Sequence, residues 1–220
     1  MNFQAKLDAI TAKNDSLVCV GLDSDFDQLP PHLKSTRYPQ FKFNQAIINA
    51  THDFVCAYKL NSAFYEAAGD RGVKQLKLTC DYLKANYPHI PIILDAKRAD
   101  IGSTNEAYIA YAFDYVGADA ITLQPYLGQE ALQPFLDLKD KGLFILCRTS
   151  NPGAGEFQDL KSPVKPLWQI VAENVSQKWN QNKNCMLVVG ATYPIELKQI
   201  RQIVGDMTLL IPGIGTQGGD

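Results

Sequence analysis

The run Pro91-Ile92-Ile93-Leu94-Asp95-Ala96-Lys97-Arg98-Ala99-Asp100-Ile101 ends a short apolar stretch in a carboxylate, an ammonium and a second carboxylate. Side chains alternate across a strand, so a strand reading puts Asp95 and Lys97 on one side and leaves Asp100 in the following turn. A lysine placed among carboxylates keeps its proton, because their charge opposes the loss that burial favours. The run reads as a catalytic strand end. Next along the chain, Ser103-Thr104-Asn105-Glu106 has the spacing of a capping box, with Ser103 as N-cap and Glu106 at the third helical position. The charged turn is then held between a strand and a helix. A solvated charge cluster in a strand-to-helix connection would use the same residues, so the surrounding elements must decide.

The chain has 220 residues, 46% hydrophobic and 20% charged, enough for one large core and one domain spanning 1–220. A net charge of −2 argues against broad electrostatic binding to nucleic acid or to an anionic membrane, while leaving room for a local phosphate pocket. No apolar run approaches the about 18 residues of a membrane span, and Met1-Asn2-Phe3-Gln4-Ala5-Lys6 does not open a signal sequence, so a cytoplasmic protein is expected. Cys19, Cys56, Cys147 and Cys185 lie in or beside apolar, strand-like runs and read as buried thiols of a reducing compartment. His32, His52 and His89 are far apart, and no His or Cys spacing suggests a metal site.

After an amphipathic opening helix bearing Phe3, Leu7 and Ile10, short apolar runs alternate with helix-period segments, the pattern of a parallel α/β fold. Strands are expected at roughly 17–22, 55–60, 91–95, 118–123, 143–148, 185–190 and 207–212. Three helical stripes are expected to cover the sheet: Phe43, Ile47, Ala50 and Phe54; Val73, Leu76, Cys80 and Leu83; and Leu167, Ile170, Val171 and Val175. Seven strands are one βα unit short of a (β/α)8 barrel of the TIM type, and the chain reads as cut short of that unit. A doubly wound open sheet would also accommodate seven units. Polar strand endings favour the barrel: Asp23 after the first, Lys59 in the second, Asp95 and Lys97 in the third, Arg148 and Ser150 after the fifth, and Thr192 after the sixth. Two connections, 24–40 and 150–166, exceed the usual few residues, and the second has the Gly and Pro content of a lid.

With Lys59, Asp95, Lys97 and Asp100 at strand ends, the sequence resembles the orotidine 5′-phosphate decarboxylase family. The resemblance is carried by Val18-Cys19-Val20-Gly21-Leu22-Asp23, Tyr58-Lys59-Leu60-Asn61-Ser62-Ala63-Phe64, the 95–101 motif and the glycine-rich stretch from Ile211 to Asp220. The long first loop and Thr149-Ser150-Asn151-Pro152 resemble the branch of that family with extended loops.

The resemblance implies cofactor-free loss of carbon dioxide from orotidine 5′-phosphate to give uridine 5′-phosphate, in de novo pyrimidine biosynthesis. It implies a homodimer with shared sites. Lys59, Asp95 and Lys97 of one subunit would join Asp100 of the other, Lys97 delivering the proton, Asp95 lying beside the departing carboxylate and Lys59 orienting the network. It further implies Asp23 and, across the interface, Thr104 at the ribose hydroxyls; Ser150 at the pyrimidine amide edge; Ile101 across the interface and Pro212 in the apolar wall; and Gln217 at the phosphate. The family's phosphate-gripping arginine follows an eighth strand, and no residue here matches it. Two other readings stay open: a magnesium-dependent phosphosugar decarboxylase or aldolase of the same superfamily, and an inactive nucleotide-binding barrel fragment.

Overall fold

The computed structural model describes residues 1–214 and Gly218. In chain order its elements are α1 (Phe3–Asn14), β1 (Cys19–Gly21), α2 (Pro31–Lys34), α3 (Pro39–Thr51), β2 (Ala57–Asn61), α4 (Ala63–Glu66), α5 (Gly69–Asn86), β3 (Ile92–Arg98), α6 (Ser103–Ile109) and β4 (Ala120–Leu123). They continue with α7 (Gly128–Leu136), β5 (Gly142–Arg148), α8 (Gly155–Gln158), α9 (Leu167–Asn174), β6 (Cys185–Val189), α10 (Pro194–Val204) and β7 (Leu209–Leu210). Single π-helical stretches, Ala110–Val116 and Val175–Trp179, extend α6 and α9.

All seven expected strands form, and their order in the sheet is the order of the chain. The pairings β1–β2, β2–β3, β5–β6 and β6–β7 are parallel. This is the α/β architecture of TIM-type barrels, in which each strand is followed by helical chain before the next strand begins. The chain divides into two compact units, Met1–Ala96 with Ala107–Ile121, and Lys97–Glu106 with Thr122–Asp220.

In the first unit α1 starts where the Asn2 side chain accepts the Ala5 N–H at 2.9 Å, and it buries Phe3, Leu7 and Ile10 as its period predicts. The α5 stripe also holds, with Leu76, Cys80 and Leu83 buried. The α3 stripe does not. Phe54 is 69% exposed, and the helix instead buries Gln40, Asn44 and Ile48. Polar groups can face a core when they find partners; here the amide donors of Gln40 and Asn44 do, while Asn44 Oδ1 is buried without one. Gln40 Nε2 donates to the Ser24 and Phe64 carbonyls, Gln75 Oε1 accepts the Gln40 N–H, and Asn44 Nδ2 donates to Tyr65 Oη at 2.8 Å and Thr79 Oγ1 at 3.2 Å. Tyr65 in turn donates to the Leu22 carbonyl at 2.5 Å, which ties the chain just after β1 to the α4 segment. Apolar periodicity misses such a network, because its contacts are paid for in hydrogen bonds rather than in area.

In the second unit β5 and β6 form the apolar centre, with Leu143, Phe144, Ile145, Met186, Leu187 and Val189 buried. Along α9 and its π-helical extension the buried line is Trp168, Ala172, Val175 and Trp179, so the core face is rotated from the expected stripe; Leu167, Ile170 and Val171 are half-buried. The two long connections are not bare loops. Residues 24–40 include the 3-10 turn Phe26–Gln28 and α2, and residues 150–166 include Pro152–Ala154, α8 and a Lys161–Pro166 bridge. All five cysteines are free. Burial pushes the thiols of Cys19, Cys80, Cys147 and Cys185 up to about 12, the behaviour of packing residues rather than nucleophiles.

The polar face of α3 makes a checkable difference. Asn44→Ala should lower the unfolding free energy by about 2 kcal/mol, since it opens a gap in the buried layer and removes the donor to the Tyr65 and Thr79 hydroxyls. Phe54→Ser should change it by no more than about 0.5 kcal/mol. Urea denaturation followed by circular dichroism distinguishes the two.

Candidate active site

The first unit brings three of the expected residues together. Lys59 lies near the end of β2, Asp95 is paired with Asn61 across to β3, and Asp23 lies two residues beyond β1. Lys59 Nζ is 3.2 Å from Asp23 Oδ2 and 3.3 Å from Asp95 Oδ2. The other Asp23 oxygen accepts the Asn61 N–H at 2.8 Å, so this carboxylate is aimed by backbone as well as by charge. Asp95 is only 8% exposed, and a carboxylate so far out of water needs an ionic or hydrogen-bonding partner. Burial acts to lower the Lys59 pKa, but Asp23 and Asp95 outweigh it and hold the ammonium above the ordinary lysine range. The Lys59 side chain therefore stays an ammonium at neutral pH, placed between the two carboxylates.

Lys97, Asp100, Ile101, Thr104, Ser150 and Pro212 belong to the second unit. Lys97 lies on β3, yet its φ is +46°, a left-handed conformation that costs a non-glycine residue about 1–3 kcal/mol. The alternation that sets Asp95 and Lys97 on one face presumes extended backbone, and Lys97 departs from it. The Lys97 N–H donates to Thr122 Oγ1 at 2.9 Å. Asp100 occupies the turn, as expected, and its Oδ1 accepts the Ile101 N–H at 2.7 Å.

The start of α6 is where the spacing predicts it, but Ser103 is its first helical residue rather than its N-cap. The turn is fastened by Asn105, which is fully buried. Its Oδ1 accepts the Asp100 N–H at 2.9 Å, and its Nδ2 donates to the Asp100 and Ala131 carbonyls. Ser103 and Glu106 are exposed, so a buried amide does the work that the capping-box spacing assigned to them. Ile101, 61% exposed, and Thr104 also face outward from this unit.

Ser150 follows β5 and is packed closely by β6. A Cβ at Gly190 would lie 2.7 Å from the Ser150 Cβ, so only glycine fits there. Arg148, expected on the rim, is 2% exposed. Its guanidinium lies 3.7 Å from the centre of the Tyr193 ring and donates to the Thr149 carbonyl, Gln158 Oε1 and Asp159 Oδ2. Gln158 also accepts the Thr149 N–H at 2.9 Å and donates to Thr149 Oγ1 at 2.8 Å. Arg148 and Gln158 thus tie the two ends of the 149–159 segment together. Pro212 is half-buried, and its carbonyl accepts the Ala191 N–H at 2.9 Å. Gln217 lies outside the described residues.

Residues 16–220 match the orotidine 5′-phosphate decarboxylase / HUMPS family. The chain belongs to that family. Curated orotidine 5′-phosphate decarboxylases from Janthinobacterium sp. (strain Marseille) and Herpetosiphon aurantiacus are 50% and 52% identical over 220 and 219 residues, covering 100% and 99% of this chain and 80% and 81% of theirs. Among solved structures, Leishmania donovani OMP decarboxylase superposes with a TM-score of 0.87 at 38% identity, over 97% of this chain and 80% of that one. Leishmania donovani UMP synthase gives 0.90 at 38% identity, over all of this chain and 46% of the synthase. A member of the decarboxylase family at this identity is an enzyme, a carbon–carbon lyase. Within the first unit Lys59 and Asp95 are paired directly, at 3.3 Å.

The raised Lys59 pKa fixes the sign of a pH effect. A group whose pKa is higher folded than unfolded contributes fully below its unfolded value, about 10.4 for lysine, and loses that contribution as pH rises through the folded value. Lys59→Met should cost about 2 kcal/mol of stability by leaving Asp23 and Asp95 facing each other. The difference should stay level between pH 7 and about 10 and shrink above that, as read by chemical denaturation of both proteins across the range.

Proposed function

We propose that this chain removes carbon dioxide from orotidine 5′-phosphate to form uridine 5′-phosphate, without a cofactor, as a step of de novo pyrimidine synthesis. The observation that carries this reading is the Lys59 ammonium held 3.2 and 3.3 Å from Asp23 and Asp95, at the positions where the family's charged motif falls. A preformed set of fixed charges suits a reaction whose difficulty is a carbanion that no electron sink delocalises.

In this mechanism the C6–carboxylate bond of the pyrimidine breaks, carbon dioxide leaves, and the bonding pair stays on C6. The Lys97 ammonium gives its proton to C6 and is recharged from solvent. Asp95 sits beside the departing carboxylate, and Lys59 fixes Asp95 and Asp23 so that neither can turn away as charge moves. Asp23 takes a ribose hydroxyl, Ser150 the amide edge of the base, Pro212 the apolar wall and Gln217 the phosphate. Binding of the remote phosphate supplies free energy that is used to order the site around the reacting carbon.

Asp100, Ile101 and Thr104 serve a second copy of the chain in the same proposal. The outward exposure of Ile101 and Thr104 beside a turn locked by buried Asn105 supports that assignment, because a rigid, partly apolar knuckle is suited to a symmetric interface. The 220 residues act as one barrel domain, and the setting is the cytoplasm. Among the described residues no helix is long and apolar enough to cross a membrane. A magnesium-dependent reaction is disfavoured at Asp95, whose Oδ2 already faces an ammonium at 3.3 Å; a divalent cation would have to displace that charge.

The assay is the loss of orotidine 5′-phosphate absorbance, with and without a chelator. Chelator-resistant turnover is expected, and Lys97→Ala should reduce kcat by about 10³-fold or more. Turnover that vanishes with chelator would favour the magnesium-dependent reading, and turnover that survives in Lys97→Ala would overturn the proton donor assigned here. Binding of uridine 5′-phosphate with no turnover would favour the inactive nucleotide-binding reading.

A shared site predicts complementation. Lys97→Ala and Asp100→Ala chains, each inactive alone, should regain about a quarter of the parent activity when unfolded and refolded together in equal amounts, since half the dimers would be mixed and each would hold one complete site. Mixed dimers that form, by native mass spectrometry, and remain inactive would argue that Asp100 acts within its own chain.

A further inference from the structure

The reading above makes no use of Thr122, a residue of β4 that is 1% exposed and whose hydroxyl accepts the Lys97 N–H at 2.9 Å. Lys97 is one of three non-glycine residues with positive φ among those described. The other two, Asp15 at the end of α1 and Lys183 in an exposed turn, occupy places where a left-handed residue is ordinary. Lys97 alone lies on a strand. A long side chain has no intrinsic preference for this conformation, so its surroundings must hold it there.

Two bonds bracket the strained residue. On its N-terminal side the amide is taken by the Thr122 hydroxyl instead of a strand carbonyl. One residue later the ladder resumes, with the Gln124 N–H donating to the Arg98 carbonyl at 3.1 Å. Thr122 and Gln124, two apart in chain, thus grip Lys97 and Arg98 in succession. Rotating φ from the extended to the left-handed range swings the Cα–Cβ bond, and with it the arc that a lysine ammonium can sweep. The acceptor that stabilises the rotated amide is therefore also what sets the direction of the side chain.

We infer that Thr122 is a positioning residue for the reaction: its buried hydroxyl holds Lys97 in the left-handed conformation from which the ammonium reaches the reacting carbon. This rests on the assignment of Lys97 as proton donor and adds to it the group that aims the donor. Threonine suits the task because its branched Cβ restricts χ1, which limits the directions its oxygen can take. Valine has the same shape and lacks the acceptor, so it separates the hydrogen bond from the packing.

The test compares Thr122→Val and Thr122→Ser in the full chain. Thr122→Val should lower kcat by at least tenfold while moving KM for orotidine 5′-phosphate by less than threefold, because the binding groups stay where they are. Thr122→Ser should recover most of the loss. Amide hydrogen exchange at Lys97 should quicken at least tenfold in Thr122→Val and not in Thr122→Ser, a readout that does not require turnover. Equal kcat in the two variants, or unchanged exchange at Lys97, would overturn the inference. Should Thr122→Val fail to fold, Thr122→Ala against Thr122→Ser makes the same comparison, both lacking the methyl and only serine keeping the acceptor. Lys97→Ala in parallel keeps the two claims apart. Activity surviving in Lys97→Ala removes the proton donor, whereas an inactive Lys97→Ala beside a fully active Thr122→Val removes only the role given to Thr122.

Discussion

The ammonium of Lys59, shared between Asp23 and Asp95, is the constraint on which the rest of the site depends. Asp95 is nearly buried and Asp23 is partly so, and neither carboxylate would tolerate the other's charge without a cation between them. That need reaches back into the fold. The first three strands must stand in parallel register for Lys59 to meet both partners, and the register pairs Gly21 with Lys59 and Asn61 with Asp95. The helices behind these strands are then held by a hydrogen-bonded layer, Gln40, Asn44, Tyr65, Gln75 and Thr79, that fixes α3 against α4 and α5 in one arrangement. Apolar surfaces can slide over each other at small cost, whereas directional hydrogen bonds between buried polar groups can be made in only a few arrangements.

The second unit shows the same economy in a different form. Its turn after β3 is defined by side-chain amides and hydroxyls that stand in for backbone partners. Asn105 fastens Asp100, Thr122 takes the amide of Lys97, and Gln158 with Arg148 closes the 149–159 segment. Asn105, Thr122 and Arg148 are buried and Gln158 is half-buried, and each bonds backbone that leaves regular structure. Irregular chain can thus be well defined. Its definition comes from polar residues that the regular elements on either side hold in place.

Much of the architecture was legible in the residues. Seven strands were readable from short apolar runs, the first helix from Phe3, Leu7 and Ile10, and the α5 stripe from Leu76, Cys80 and Leu83, because burial of apolar area leaves a period in the chain. The α3 stripe was misread for the complementary reason. Phe43, Ile47, Ala50 and Phe54 have the period of a core face, but the true inner face is polar, and no periodicity rule scores an asparagine whose partners lie 21 and 35 residues away. At the turn after β3 the spacing of Ser103 and Glu106 gave the right boundary with the wrong fastener. Arg148 read as a rim charge and is instead a buried clasp, since its partners at 158 and 159 become neighbours only once the loop folds back.

The sequence by itself determined the order of strands and helices, the composition of the apolar core and the chemical character of the Lys59, Asp95, Lys97 and Asp100 motif. These properties are local, written in spacing and residue type. The tertiary structure decided which carboxylates share the Lys59 ammonium, which polar residues hold α3 and the turn after β3, and that Lys97 sits in a left-handed conformation against Thr122. Those outcomes depend on pairs of residues distant in the chain, and a hydrogen bond or ion pair between distant residues leaves no periodic trace because its geometry exists only after the backbone has brought the partners within about 3 Å of each other.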